Sequence, residues 1–116
     1  MDASGDTLVL DDDRIDALFG ALADRTRRDI LRRVLLGEQS VSTLAARYDM
    51  SFAAVQKHVA VLERAGLVVK RRRGKEQLTT GQIDAVRSTA SLLAELEVVW
   101  RDRVARIEDL LASESQ

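Results

Sequence analysis

Cysteine and proline are both absent from this chain of 116 residues, and aromatic side chains are few: two Phe, one Trp and one Tyr. Without Cys there is neither a disulfide framework nor a thiolate metal site. Without Pro, and with so few aromatics, a helical bundle is favoured over a β-sandwich. The one histidine, His58, has no ligand-type neighbours in sequence, so no metal is expected. No apolar run approaches the roughly 20 residues that a membrane-spanning helix needs. The opening MDASGDTLVLDDD lacks the basic start and long apolar core of an export signal, so a cytoplasmic location is expected. The segment RRRGKE lacks the Gly-x4-Gly-Lys-Ser/Thr frame of a phosphate loop. With no paired acid and base either, neither an enzyme nor a cofactor is expected.

What the chain does contain is charge, unevenly spread. At 46% hydrophobic and 32% charged it reads as one globular domain with a modest core. The formal net charge is −1, but residues 1–13 hold five Asp and no base, which leaves +4 on the rest. Within Ser51–Thr80 seven Lys or Arg face two Glu, a local excess of +5. Nucleic-acid affinity follows such a local footprint rather than the average. The acidic head reads as a solvated tail or as one that screens the basic surface.

Along the chain, Asp11–Asp13 offer a cap to a first helix, in which Ile15, Leu18, Phe19 and Leu22 form one apolar stripe. Asp24 can cap a second helix from Arg25 to about Leu36, with Gly37 as terminator. Ser40 or Ser42 can begin a third, short helix through Leu44, Ala45 and Tyr48, ending near Asp49-Met50. Ser51 caps the next, so only Asp49 to Phe52 separate two short helices, a helix-turn-helix spacing.

In that fourth helix Val55, Val59 and Leu62 share one face and should anchor it. The other face carries Phe52, Ala53, Gln56 and Lys57. Small Ala side chains let a helix sink into the major groove. Gln can bond adenine bidentately, Lys can reach guanine or phosphate, and ring or methyl surface can touch thymine. Ser51 and the first-turn amides suit a phosphate. His58 is expected either to touch phosphate or to hold this helix by a hydrogen bond. Leu67–Arg71 and Gln77–Thr80 then read as two paired strands, with Gly74 supplying the positive φ of a tight hairpin. Lys70, Arg71, Arg72, Arg73 and Lys75 crowd its tip and are candidate phosphate or minor-groove contacts. The partner implied is double-stranded DNA.

The chain closes with a long helix, about Gln82 to Ala112, bearing two stripes. Ile83, Val86, Ala90, Leu93, Trp100, Val104, Ile107 and Leu111 can cover the chain's own core. Leu92, Leu96, Val99 and Leu110 need another partner, most simply a second copy. With Leu18, Phe19 and Trp100, the middle of this helix is the candidate dimer surface. Domain bounds follow: a tail at 1–12, a mainly α domain at 13–112 with a small two-stranded hairpin, and a loose end at 113–116.

The order of these segments resembles the ArsR family of winged helix-turn-helix repressors. The residues that carry the resemblance are Ala23-Asp24-Arg25-Thr26-Arg27-Arg28-Asp29-Ile30-Leu31, Ser40-Val41 with Leu44-Ala45, and Met50-Ser51. They continue with Ala54-Val55-Gln56-Lys57-His58-Val59, Leu62-Glu63, Ala65-Gly66-Leu67-Val68 and Arg71-Arg72 followed by Gly74-Lys75-Glu76. The match covers about residues 13–111. It implies a homodimer joined through first and last helices, a recognition helix at Ser51–Arg64 and a wing at Leu67–Thr80. It also implies binding to an operator, blocking transcription until an inducer releases it. The family commonly has Ser where Gln56 stands, so base preference does not carry over. Metal-sensing members place Cys pairs in the helix that here reads Val41–Tyr48, or His and carboxylates on the last helix. Here Ser42, Thr43, Leu44 and Ala45 fill the first region. The last helix offers Asp84, Glu95, Glu97, Glu108 and Asp109 without His, which marks a member that does not sense metals.

Overall fold

Four of the helix starts are set by a single side chain each. In the computed structural model, which describes residues 11–115, the described residues form α1 (Asp12–Leu22), α2 (Arg25–Leu36), β1 (Gln39–Ser40), α3 (Val41–Ala45), α4 (Phe52–Arg64), β2 (Val68–Arg73), β3 (Glu76–Gly81) and α5 (Ile83–Glu114). Asp11 accepts from the Arg14 amide at 2.7 Å, Asp24 from Arg27 at 3.0 Å, Ser40 from Thr43 at 3.0 Å and Ser51 from Ala54 at 3.1 Å. Each such cap satisfies one amide that a helix start leaves unpaired, a contribution of about 1 kcal/mol. The Arg27 amide also holds the Asp24 carboxyl below its usual range. Residues 1–10, most of the expected tail, lie outside the described residues. Helix α1 starts one residue before the expected domain boundary, and α5 runs two residues beyond Ala112.

The ends of the helices are less uniform. Helix α4 stops in a Schellman turn: Gly66, at φ +80°, donates to the Glu63 carbonyl at 2.9 Å, and Leu67 donates to Leu62 at 2.9 Å. Leu62 and Leu67, the apolar pair that accompanies this motif, are both fully buried. Gly37 does end α2, but at φ 172° it is extended rather than left-handed, so the terminator needs no glycine. Helix α3 closes at Ala45, sooner than expected, and the link to α4 is Ala46–Ser51, wider than the expected Asp49–Phe52. Five residues carry too little periodicity to fix an end.

The expected two-stranded wing is part of a three-stranded antiparallel sheet in the order β1-β3-β2. Strand β1 is only Gln39-Ser40, paired with Thr79 and Leu78. Two residues cannot display the alternation by which a strand is read from sequence. Strands β2 and β3 pair from Val68↔Gly81 to Arg73↔Glu76. Gly81 is needed for close packing: a Cβ there would lie 2.6 Å from the Leu35 side chain of α2.

The core gathers Leu18 and Ala21 of α1, Ile30 and Val34 of α2, Leu44 of α3, the inner face of α4, and Leu67 and Val68. Helix α5 stands mostly outside it. Its 32 residues span ~48 Å at 1.5 Å per residue. Only Ala85 and Thr89 are buried, with Val86, Leu92 and Val104 half-buried. The expectation that its first stripe covers the chain's own core therefore fails beyond two turns. Ile83, Leu93, Trp100, Ile107 and Leu111 are all at least 44% exposed, because the small body offers the helix nothing to lie against past its base.

Candidate nucleic-acid interface

Helix α4 is divided cleanly between anchoring and presentation. Val55, Val59 and Leu62 have no exposed surface. About half a turn round the axis, Ala53, Gln56 and Lys57 are exposed, and Phe52 stands 46% exposed at the first position. The Ser51 hydroxyl caps the helix from an exposed position, so the remaining amides of the first turn face outward for an external acceptor. Arg64, exposed and seven residues beyond Lys57, continues this face. Reading the sequence alone missed it, although the i+7 spacing was its signal.

His58 belongs to the anchoring side. It is half-buried, with Nδ1 3.4 Å from Arg27 Nη1. For Arg27 to donate this long contact, Nδ1 must carry the lone pair, which places the ring proton on Nε2. The same guanidinium donates to the Ala21 and Gly20 carbonyls at 2.8 and 2.9 Å, at the end of α1. Of the two roles expected for His58, a hydrogen bond that holds the helix has a partner here in Arg27. Only the Nδ1 edge is engaged by Arg27, so the contact to phosphate stays open for the Nε2 edge.

A second attachment grips the chain just before α4. Tyr48, in the turn Ala46–Ser51, donates to Asp29 Oδ2 of α2 at 2.6 Å, and Arg33 Nε donates to the same oxygen at 2.9 Å. The Tyr48 hydroxyl first, then Arg33, hold the Asp29 carboxyl below its ordinary range. Burial, with the Asp29 bond added, pushes the Tyr48 phenol up to about 12.

The wing turns at Gly74 (φ +63°) and Lys75, as the hairpin chemistry requires. Its five cations are not equivalent, because two of them already have partners within the fold. Arg71 makes a two-pronged pair with Glu38, Nε and Nη2 each at 2.9 Å, and Thr80 donates to the same carboxylate at 3.1 Å. Arg71 holds Glu38 well ionised, and is itself committed to fastening the sheet to the end of α2. Lys70 pairs with Glu63 of α4 at 3.3 Å. These partners lie far off or on another element, so sequence position alone groups all five together. Arg72, Arg73 and Lys75 are exposed, and none forms an ion pair with another described residue.

Of the expected dimer surface, Leu18 is withdrawn: at 1% exposure it is core. Phe19 is 37% exposed and Leu92 half-buried, whereas Leu96, Val99 and Trp100 are exposed by 60, 65 and 59%. Among the described residues no three His or carboxylate side chains gather as a metal site requires, and no helix is long and apolar enough to cross a membrane.

Comparison with known proteins agrees with this fold. Residues 22–71 match the helix-turn-helix domain family. The HTH-type transcriptional regulator Rv2034 of Mycobacterium tuberculosis is 34% identical over 99 residues, which span 85% of this chain and 90% of that protein. The transcriptional activator HlyU of Vibrio cholerae is 34% identical over 79 residues, 68% of this chain and 73% of that one. Among solved structures, an ArsR-like transcriptional regulator from Rhodococcus sp. RHA1 superposes with a TM-score of 0.75 at 32% identity, covering 84% of this chain and 92% of that chain.

Proposed function

Because the chain belongs to the ArsR family of winged helix-turn-helix transcriptional regulators, we propose that it acts as a homodimeric repressor that reads an inverted-repeat operator with α4 and grips its backbone with the wing. The observation that carries this reading is the exposed face of Ala53, Gln56 and Lys57 on a helix whose opposite face is wholly buried, followed at once by the exposed cations of the wing tip. Gln56 supplies base reading, Lys57 a guanine or phosphate contact, Ser51 and the amides behind it a phosphate contact, and Phe52 and Ala53 apolar contact with thymine. Arg72, Arg73 and Lys75 neutralise phosphates on any sequence.

The action is binding, in the cytoplasm, without catalysis, cofactor, metal or membrane. A chain without Cys has no thiolate for a thiophilic ion, so release from DNA falls to another signal. HlyU is named an activator, and transcription from an operator-bearing promoter with purified polymerase decides the sign: repression predicts less transcript as the protein is added.

The wing supplies the direct test. Replacing both Arg72 and Arg73 by Ala should weaken binding to all duplexes alike, and should flatten the plot of log affinity against log salt by roughly one to two units, about 0.9 for each phosphate no longer neutralised. An unchanged slope would remove the wing from the interface. No salt-dependent duplex binding by the wild-type chain would remove the whole reading.

A further inference from the structure

A second cationic surface stands at the other end of the recognition helix. Arg25, Arg28 and Arg32 recur at i, i+3 and i+7 on α2 and so share one face. With Thr26, Asp29 and Tyr48 they enclose an open hollow of about 410 Å³. Three guanidinium groups thus meet one carboxylate, and that carboxylate is already held by Tyr48 and Arg33. Arg32 reaches it only at 3.5 Å, and neither Arg25 nor Arg28 forms an ion pair with another described residue. The arrangement is unfavourable by itself, because like charges three and four residues apart repel and a cation on the first turn opposes the helix dipole. An anion lodged among them reverses every one of these effects. Arg28 is already oriented, since its Nη1 donates to the Leu22 carbonyl at 2.7 Å.

Position says which anion. Tyr48, on the wall of the hollow, lies three residues before the Ser51 cap, at the start of α4. The Lys70–Glu63 pair places the base of the wing at the far end of the same helix. A helix in the major groove has a phosphate backbone on each side. Planar guanidinium groups match phosphate oxygens two at a time. We propose that this hollow takes a backbone phosphate of the operator, so that the recognition helix is flanked by phosphate grips at both ends: the wing at one and α2 at the other. The proposal rests on the DNA reading above.

Its test is the pair Arg25→Gln and Arg32→Gln, made together and leaving Arg28 in place. Both residues are exposed and repel Arg28, so the melting temperature should match wild type or rise slightly. The salt slope of operator affinity should flatten by about one to two units, while the motif selected from random duplexes stays the same. Arg25→Lys with Arg32→Lys, which keeps the charge, should recover most of the slope. Combined with Arg72→Ala and Arg73→Ala, the reductions in slope should add. If the wing variant flattens the slope and the α2 variant does not, the hollow is no DNA contact and the wing reading stands. The other source of a phosphate is a free one. A rise in melting temperature in inorganic phosphate over chloride at equal ionic strength, abolished in the Gln variant while the operator slope is unchanged, would overturn the assignment in favour of a soluble anion.

Discussion

Tyr48 shows how much one side chain can do for a helix to which it does not belong. Its hydroxyl ties the approach to α4 onto Asp29, nineteen positions back. The phenol is pushed from 10.0 up to about 12, mainly by burial. A folded-state value above the unfolded one means the proton is held by folding. The contribution to stability is full below about pH 10 and fades as the pH rises through about 12. Tyr48 is the only tyrosine, so phenolate absorbance reports it alone. Folded protein should develop that signal only near pH 12, and urea-unfolded protein near 10. A folded-state midpoint at 10 would mean that Tyr48 is neither buried nor linked to Asp29 in solution. Little of this is legible in the sequence. Gln56, Lys57 and the Ser51 cap can be read there because helix periodicity places them. The fates of Tyr48, His58, Lys70 and Arg71 depend on partners brought together by folding.

The elements divide along the same line. Starts of helices are legible because the cap lies within three residues of the amide it satisfies, as at Asp24 and Ser51. The two glycines that end helices look alike in sequence and differ in kind. Gly66 is left-handed, and a Cβ there would lie 2.6 Å from the Arg14 guanidinium; Gly37 is extended, with nothing within 4 Å. Gly66→Ala should therefore cost about 1–2 kcal/mol, seen as a lower urea midpoint at unchanged slope, whereas Gly37→Ala should leave the midpoint in place or raise it slightly. Equal effects at both sites would contradict the two backbone conformations. Strand β1 and the early end of α3 escape a sequence reading because they are too short for any periodicity to register.

At the scale of the molecule, α5 departs furthest from expectation. Both of its stripes are open to solvent past the first turns, so the division between a core stripe and a partner stripe dissolves into one broad apolar surface. Such a surface suits the second copy proposed above, and Trp100 sits within it as the only tryptophan. Leu96→Asp would bury an unpaired carboxylate in that contact at a cost of several kcal/mol. Sedimentation should show a wild-type dimer at micromolar concentration and a monomeric variant. Trp100 emission should shift to longer wavelength in the variant, and operator affinity should fall to the nonspecific level. A wild-type monomer that binds one half-site tightly would refute the dimer.

Helix α2 has a mechanical meaning as well. Its 12 residues make a rod of ~18 Å. At one end Arg27 touches His58 of α4, and just past the other Glu38 clamps Arg71 of the wing. The two parts suited to touching a duplex are therefore bolted to the same beam. A regular helix resists stretching, so the gap between groove reader and backbone grip behaves as a fixed gauge, and a twist applied to the beam swings both together.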